Sequence, residues 1–225
     1  MRTLRHTVLL LATFALAAGC SARRQPTHPA LIGIAQQHDA LALHDALEAL
    51  IDKGTDRPAD RVYAYDSVRE YEDDTAGYAY ARAAITGRYV QLRGLLAADL
   101  AKDVEFWARR SIELDPTFRD GAATRLLGTV YVVAPATLLK HGNSEVGLDL
   151  LEGLVEQHPE NPENHLRLAE AYIALGDADP ARPHLCRCLA QQSELRADNR
   201  RLLKLLVSDV GPLDCPPATP PRSVS

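Results

Sequence analysis

Residues 145–190 read EVGLDLLEGLVEQHPENPENHLRLAEAYIALGDADPARPHLCRCLA, and this stretch contains one pattern twice. A small residue, a leucine and a third small or apolar residue recur after 34 positions. The matched pairs are Gly147 and Ala181, Leu151 and Leu185, and Leu154 and Cys188. Repetition at a fixed period of this length indicates stacked copies of one structural unit. Helical spacing within each copy predicts antiparallel helix pairs that approach closely at the small residues.

Turn residues divide the stretch into helices. Asn161 is a suitable cap for a helix that Pro162 begins, because proline is favoured in the first helical turn. Gly176 suits a left-handed turn, and Asp179 is predicted to cap a helix that starts at Pro180. His165 stands where the repeat has a bulky core residue, so we expect it to pack in the core.

An imperfect copy lies upstream. Val104, Ala108 and Ser111 have the spacing of the second helix of a pair. Leu127-Gly128 and Tyr131 have the spacing of the first helix of the pair that follows. Tyr131 and Gly147 are 16 positions apart, whereas Tyr172 and Ala181 are nine apart, so 132–144 contains an insertion of seven residues. It carries Leu138 and Leu139. These leucines either cover the end of the repeat core or contact a partner or subunit.

The remainder of the chain also favours helices, so the predicted fold class is all-α. Residues 40–53 and 99–114 have one apolar face each, and 59–98 predict two further helices. The predicted helical domain covers 30–210. Residues 211–225 contain five prolines and no periodicity, which predicts a disordered tail. Cys186 and Cys215 can form a disulfide, and isolated thiols are the alternative.

The N-terminus predicts export. Arg2 and Arg5 precede an apolar run of 11 residues from Val8 to Ala18. That run is too short to span a membrane and is typical of a signal peptide over 1–19. The segment from Leu16 to Cys20 resembles the bacterial lipobox, with Ala17 where a larger aliphatic residue is usual. The resemblance implies that Cys20 carries lipid and that 20–29 form a tether. Ser21 after the cysteine then implies the periplasmic face of the outer membrane.

The repeat spacing is similar to that of tetratricopeptide repeats (TPR), which stack helix pairs into a solenoid. Leu127-Gly128, Ala134-Pro135, Pro162–Leu166 and Leu168–Ala171 further resemble lipoproteins that form the T component of tripartite ATP-independent periplasmic (TRAP) transporters. This resemblance covers about 76–190. It implies a periplasmic protein that associates with a solute-binding protein. Homo-oligomerisation is possible in addition.

In TPR proteins the first helix of each pair lines the concave face. That register places six side chains on the partner-binding surface: Arg125, Thr129, Glu163, Leu166, Glu170 and Ile173. Arg125 is similar to the basic residue of carboxylate-clamp TPR proteins, but Thr129 replaces their asparagine and Glu163 and Glu170 repel an anion. We therefore expect a mixed apolar and polar protein surface as the ligand rather than a C-terminal carboxylate.

Signals for other functions are absent from the sequence. The net charge is −5, and −7 once Arg2 and Arg5 are removed with the leader, which disfavours nucleic-acid binding. No metal-site spacing, Walker motif or dinucleotide fingerprint occurs, so we expect no metal, no cofactor and no enzyme. The preferred interpretation is a partner of a TRAP solute-binding protein. A general TPR scaffold for envelope or secretion machinery is the alternative, and a hydrolase is a minor one.

Overall fold

The computed structural model describes residues 27–216, and within them the chain forms helices and no strands. Ten α-helices follow one another in that part of the chain: α1 Pro29–Ala35, α2 Ala40–Asp52, α3 Pro58–Val68, α4 Ala76–Arg93, α5 Ala101–Leu114, α6 Ala122–Val133, α7 Ser144–Gln157, α8 Pro162–Ala174, α9 Ala181–Ala190 and α10 Ala197–Val210. Short 3₁₀ turns lie at Gly94–Leu100 and Ala136–Leu138. The predicted all-α repeat fold is confirmed. In the described range no helix is long and apolar enough to cross a membrane.

The helices are stacked as antiparallel pairs: α2 with α3, α4 with α5, α6 with α7, and α8 with α9. First helices of neighbouring pairs run in the same direction, since Tyr80 in α4 lies edge-on to His44 in α2, and Arg88, further along α4, pairs with Glu48, further along α2. All turns from a first to a second helix therefore lie on one side of the stack, which we call the A–B edge. The return turns from α3 to α4 and from α5 to α6 form the opposite B–A edge.

The positions that repeat after 34 residues form the interior of the last two pairs. Gly147, Leu151 and Leu154 are buried between helices, and so are their counterparts Ala181, Leu185 and Cys188. The repeat register predicted from spacing is thus confirmed. Asn161 caps α8 by accepting a hydrogen bond from the backbone N–H of Glu163. The predicted cap by Asp179 is wrong, because α9 begins at Ala181 and its first turn has no side-chain cap.

Glycine is required where α6 crosses α7. A Cβ atom on Gly147 would lie 2.7 Å from the carbonyl oxygen of Gly128, and one on Gly128 would lie 2.8 Å from Leu151 Cγ. Both distances are shorter than van der Waals contact, so either substitution would push the helices apart. The Leu-Gly pair of the sequence pattern therefore has a direct packing cause.

The C-terminal helix brings the two ends of the stack together. α10 packs against α8 and α9 and also contacts α2. The backbone N–H of Ala197 donates to Asp52 Oδ1 at 2.5 Å, and Arg196 forms an ion pair with Glu48. The array is consequently closed across its inner side, between residues separated by 148 positions.

The segment after α10 corrects one boundary of the sequence analysis. Residues 211–216 do not behave as a disordered tail, because Cys215 is joined to Cys186 of α9 by a disulfide. Leu213 packs against the C-terminal core, and Arg182 donates to the carbonyl oxygen of Pro212 at 2.9 Å. Prolines removed the periodicity that sequence patterns need, but a covalent link holds the segment in place. The predicted tail beyond 216 lies outside the described residues, as do the predicted signal peptide and Cys20.

Candidate partner-binding groove

The first helices of the pairs line an inner groove. Side chains of α2, α4, α6 and α8 surround a cavity of about 140 Å³, and the N-terminal end of α10 closes one side of it. The stacking of parallel first helices produces this surface, because each contributes the face that points away from its second helix. Its lining is dominated by charged and polar side chains.

One half of the groove is an ion cluster between α2, α4 and α10. Arg88 donates to both carboxylate oxygens of Glu48, at 2.7 and 2.6 Å, and to Asp198 at 2.9 Å. Arg196 pairs with Glu48 from the other side. Burial alone would raise the pKa of Glu48, but the hydrogen bonds and charge of Arg88, with the charge of Arg196, outweigh it and lower that pKa. Glu48 is therefore ionised although only 8% of it is exposed.

The other half joins α6, α8 and α10 through amides and carboxylates. Arg125 donates to Asn164 Oδ1 at 2.7 Å and lies 3.2 Å from Glu163. Asn199 of α10 connects two residues of α8, because its Nδ2 donates to Glu163 and its Oδ1 accepts from Arg167, each at 2.8 Å. Arg167 also pairs with Glu170. The guanidinium of Arg125 is already bonded to Asn164 and paired with Glu163, so it is not a free site for a carboxylate ligand.

The charges of the two halves balance. The four arginines are Arg88, Arg125, Arg167 and Arg196, and the four carboxylates are Glu48, Glu163, Glu170 and Asp198. A groove with equal numbers of both signs does not attract a ligand of one sign from a distance. It instead offers paired donors and acceptors that a protein surface could exchange for its own.

The predicted contact residues separate into two groups. Arg125, Thr129 and Glu163 line the groove together, where the Thr129 hydroxyl donates to the carbonyl oxygen of Arg125 at 2.8 Å. Glu170 joins them through Arg167. The placement of Leu166 on the concave face is wrong, since this side chain is fully buried. Ile173 is half-buried against the same core cluster.

The wrong placement of Leu166 on the concave face has a clear cause. The sequence patterns assigned no helix to 197–210, so the face of α8 was expected to be open to a partner. The structure adds α10, which packs against α8 and α9 and covers Leu166. The role of the other groove residues as partner contacts stays a prediction.

The insertion at 132–144 is held down by one buried carboxylate. Glu105 of α5 accepts hydrogen bonds from the backbone N–H groups of Lys140 and His141, at 2.6 and 2.7 Å, and from the Tyr131 hydroxyl at 2.9 Å. Burial would raise the pKa of Glu105, but these bonds lower it. A side chain on Gly142 would overlap the Tyr131 ring, so the turn needs glycine.

The hydrogen bonds to Glu105 fix the positions of Leu138 and Leu139. Leu139 packs against the cluster that contains Val104 and Tyr131, and Leu138 is half-buried at the end of a 3₁₀ turn. Both observations favour the interpretation in which the insertion covers the repeat core. Contact of Leu138 and Leu139 with a partner stays a prediction.

Sequence reasoning did not find the ion cluster of Glu48, Arg88, Arg196 and Asp198. The residue pairs that bond across this cluster are 40 to 148 positions apart, so no short motif connects them. The available cue was Glu48 itself, the one charged residue in the otherwise apolar run 46–51. An isolated carboxylate on an apolar helix face needs a cation from elsewhere in the fold.

Comparison with known proteins agrees with this architecture. The sequence model of the tetratricopeptide repeat family matches residues 138–205, which contain α7, α8, α9 and the first part of α10. The segment 138–205 is thus similar to tetratricopeptide repeats. The TPR match covers the two copies in which the 34-residue pattern is regular, and TPR units are typically protein-interaction modules without catalytic activity. No curated protein matches the chain.

Proposed function

We propose that this TPR protein is exported, is anchored by lipid on Cys20 to the periplasmic face of the outer membrane, and binds a protein partner in its inner groove. The observation that carries the proposal is the groove itself, where side chains of four stacked first helices and α10 present arginines that are already paired with carboxylates. TPR arrays commonly use this surface for protein recognition. The N-terminal segment, with its lipobox-like residues before Cys20, supports export and anchoring.

The chemistry of the groove indicates the class of partner. Arg125 is occupied by Asn164 and Glu163, so a free C-terminal carboxylate gains little there. A folded protein that presents both acidic and basic side chains could replace several of these pairs at once. The resemblance to TRAP T components makes a solute-binding protein of such a transporter our specific proposal.

A photo-crosslinking experiment tests the groove. A photoreactive amino acid at Thr129, which lines the groove, should capture a periplasmic protein in cells, and mass spectrometry identifies it. Gln192, exposed in the turn after α9, serves as the matched control position. Capture from Gln192 but not Thr129, or from neither position, would contradict binding in the groove. Capture of an envelope or secretion component at Thr129 would support the scaffold alternative over a TRAP partner.

Anchoring is tested separately. Cys20→Ser should leave the chain unprocessed or release it from membranes, and globomycin, which inhibits the lipoprotein signal peptidase, should cause precursor to accumulate. Ser21→Ala is a neighbouring control that keeps the acceptor thiol. Normal processing under both treatments would exclude lipidation of Cys20.

A further inference from the structure

Two adjacent leucines are left almost entirely in solvent. Leu95 and Leu96 are 93% and 82% exposed, in the 3₁₀ segment between α4 and α5. Burial of leucine is favourable and its full exposure is not, so an exposed pair needs a reason. The segment is not loosely attached, because Ala97 is buried and Leu100 packs against the N-terminal core. These two inward contacts direct the leucine pair outward.

The pair lies on the A–B edge, and other exposed apolar side chains lie on the same edge. Val133 and Leu175 are at or just past the ends of α6 and α8, and Val146 is in the first turn of α7. The remaining exposed large apolar residues, such as Phe106 and Leu205, lie singly within helices.

The chain also enters the fold from the A–B edge. The backbone N–H of His28 donates to Asp60 Oδ1 at 2.6 Å, and Asp60 is in the first turn of α3, directly after the turn from α2. Cys20 is eight positions before His28. An extended chain spans at most about 3.5 Å per residue, so a lipid on Cys20 would keep this edge within about 28 Å of the membrane surface.

We propose that the Leu95-Leu96 turn inserts into the surface of the membrane that carries Cys20. This inference rests on the proposed lipid anchor. The exposed charges next to the pair are Arg93 and Lys102 against Asp99 and Asp103, so they balance and give no preference for anionic lipid. The contact is apolar, and neutral phosphatidylcholine suffices. Its consequence is orientation, because a lipid tether and an inserted edge together fix the direction in which the inner groove faces.

The test separates insertion from lipidation. A chain starting at residue 20, with Cys20→Ser and an N-terminal oligohistidine segment, is bound to phosphatidylcholine vesicles that contain nickel-chelating lipid. An environment-sensitive fluorophore is attached at Leu96→Cys or, as control, at Glu72→Cys, which is exposed in the turn before α4 and so lies at the other end of that helix from Leu96. Labelling is selective since Cys188 is fully buried and Cys186 is disulfide-bonded to Cys215.

Membrane insertion of the Leu95-Leu96 turn predicts a blue-shifted emission at position 96 that bromine-labelled lipid quenches, with neither effect at position 72. In the unlabelled chain, Leu95→Ser with Leu96→Ser should make imidazole release faster, whereas Leu205→Ser should not. Aqueous emission at both positions on the bound protein would overturn the proposal while leaving the Cys20 anchor intact. A blue shift without vesicles that grows with protein concentration would show that a second copy covers the turn, and would also overturn it.

Discussion

At the scale of single residues, the stability of the array depends on the positions that repeat after 34 residues. Leu151 and Leu185 are fully buried at equivalent places in consecutive second helices, and Ala181 fills the place of Gly147. Large side chains there fill the space between helices, and small ones permit the close approach. The two kinds of position should therefore respond to substitution in opposite ways.

Leu151→Ala should lower the free energy of unfolding by about 2–5 kcal/mol, through lost burial and the cavity left behind. Leu205→Ala, at a position that is 63% exposed, should change it by less than about 0.5 kcal/mol. Urea unfolding followed by circular dichroism measures both. Ala181→Leu should also destabilise, because overpacking pushes α8 and α9 apart. An unchanged melting temperature in that variant would mean that the repeat register is wrong.

A histidine pair gives the fold a sensitivity to acid. His165 Nδ1 lies 2.8 Å from His184 Nδ1, and His165 Nε2 lies 2.8 Å from the carbonyl oxygen of Pro159. That carbonyl can only accept, so Nε2 carries the proton and His184 donates to His165. Burial lowers the pKa of both rings. The charge of Arg187 acts in the same direction on His165, and Glu160 opposes it.

Stability should consequently fall as the pH decreases through about 6.5, the ordinary histidine pKa, because the unfolded chain binds protons that the folded pair resists. Urea midpoints at pH 7.5 and 5.5 measure the loss. The double variant His165→Phe with His184→Leu removes both titrating groups and should flatten the profile in this window. Equal pH dependence in the variant and the natural chain would assign the effect to other residues.

At the scale of elements, the insertion at 132–144 depends on α5 for its conformation. Three donors converge on Glu105, and two of them are backbone groups of the insertion itself. The segment therefore acts as a fixed cover on the repeat core, although it has little regular structure. Its stability should follow the charge state of one carboxylate.

Glu105→Gln should lower the free energy of unfolding by about 1–3 kcal/mol, because an amide cannot accept from all three donors. Glu156→Gln, at an exposed position of α7, is the matched control and should be neutral. Limited proteolysis should cut the insertion faster in Glu105→Gln. In the natural chain the contribution of Glu105 is present above its ordinary pKa of 4.5 and is lost as the pH falls through its lowered folded pKa. Unchanged cleavage would show that packing of Leu139 suffices to hold the segment.

At the scale of the whole molecule, closure of the array through α10 distinguishes this protein from an open solenoid. The contact between α2 and α10 is made by few residues and is largely ionic. Arg88 is central because it joins Glu48 to Asp198. A partner that enters the groove must either fit beside this cluster or replace it.

Arg88→Met should destabilise the fold by up to about 3–5 kcal/mol, since it leaves Arg196 as the one cation paired with the carboxylates of buried Glu48 and half-buried Asp198. Adding Glu48→Gln should recover part of the loss, and the double-variant cycle measures the coupling. Hydrogen exchange should increase in α2 and α10 more than in α6 and α7. Uniform acceleration in all helices would indicate that the cluster supports general stability rather than closure.

The sequence by itself determined the helix pairs and their register from about residue 104 to 190, because both arise from contacts between residues near in the chain. A 34-residue period, helical spacing and capping residues such as Asn161 contain that information locally. They also located Arg125, Thr129 and Glu163 on a common surface, since these side chains follow from the register of α6 and α8.

Only the tertiary structure decided what closes that surface. Leu166 was expected to be open, but α10 returns to cover it, and 211–216 were expected to be disordered, but Cys215 is bound to Cys186. The ion cluster at Glu48 likewise joins residues up to 148 positions apart. Such contacts depend on how the curvature of successive pairs adds up along the stack. Periodicity in the sequence defines each repeat and its neighbours, but it does not define where α10 meets α2.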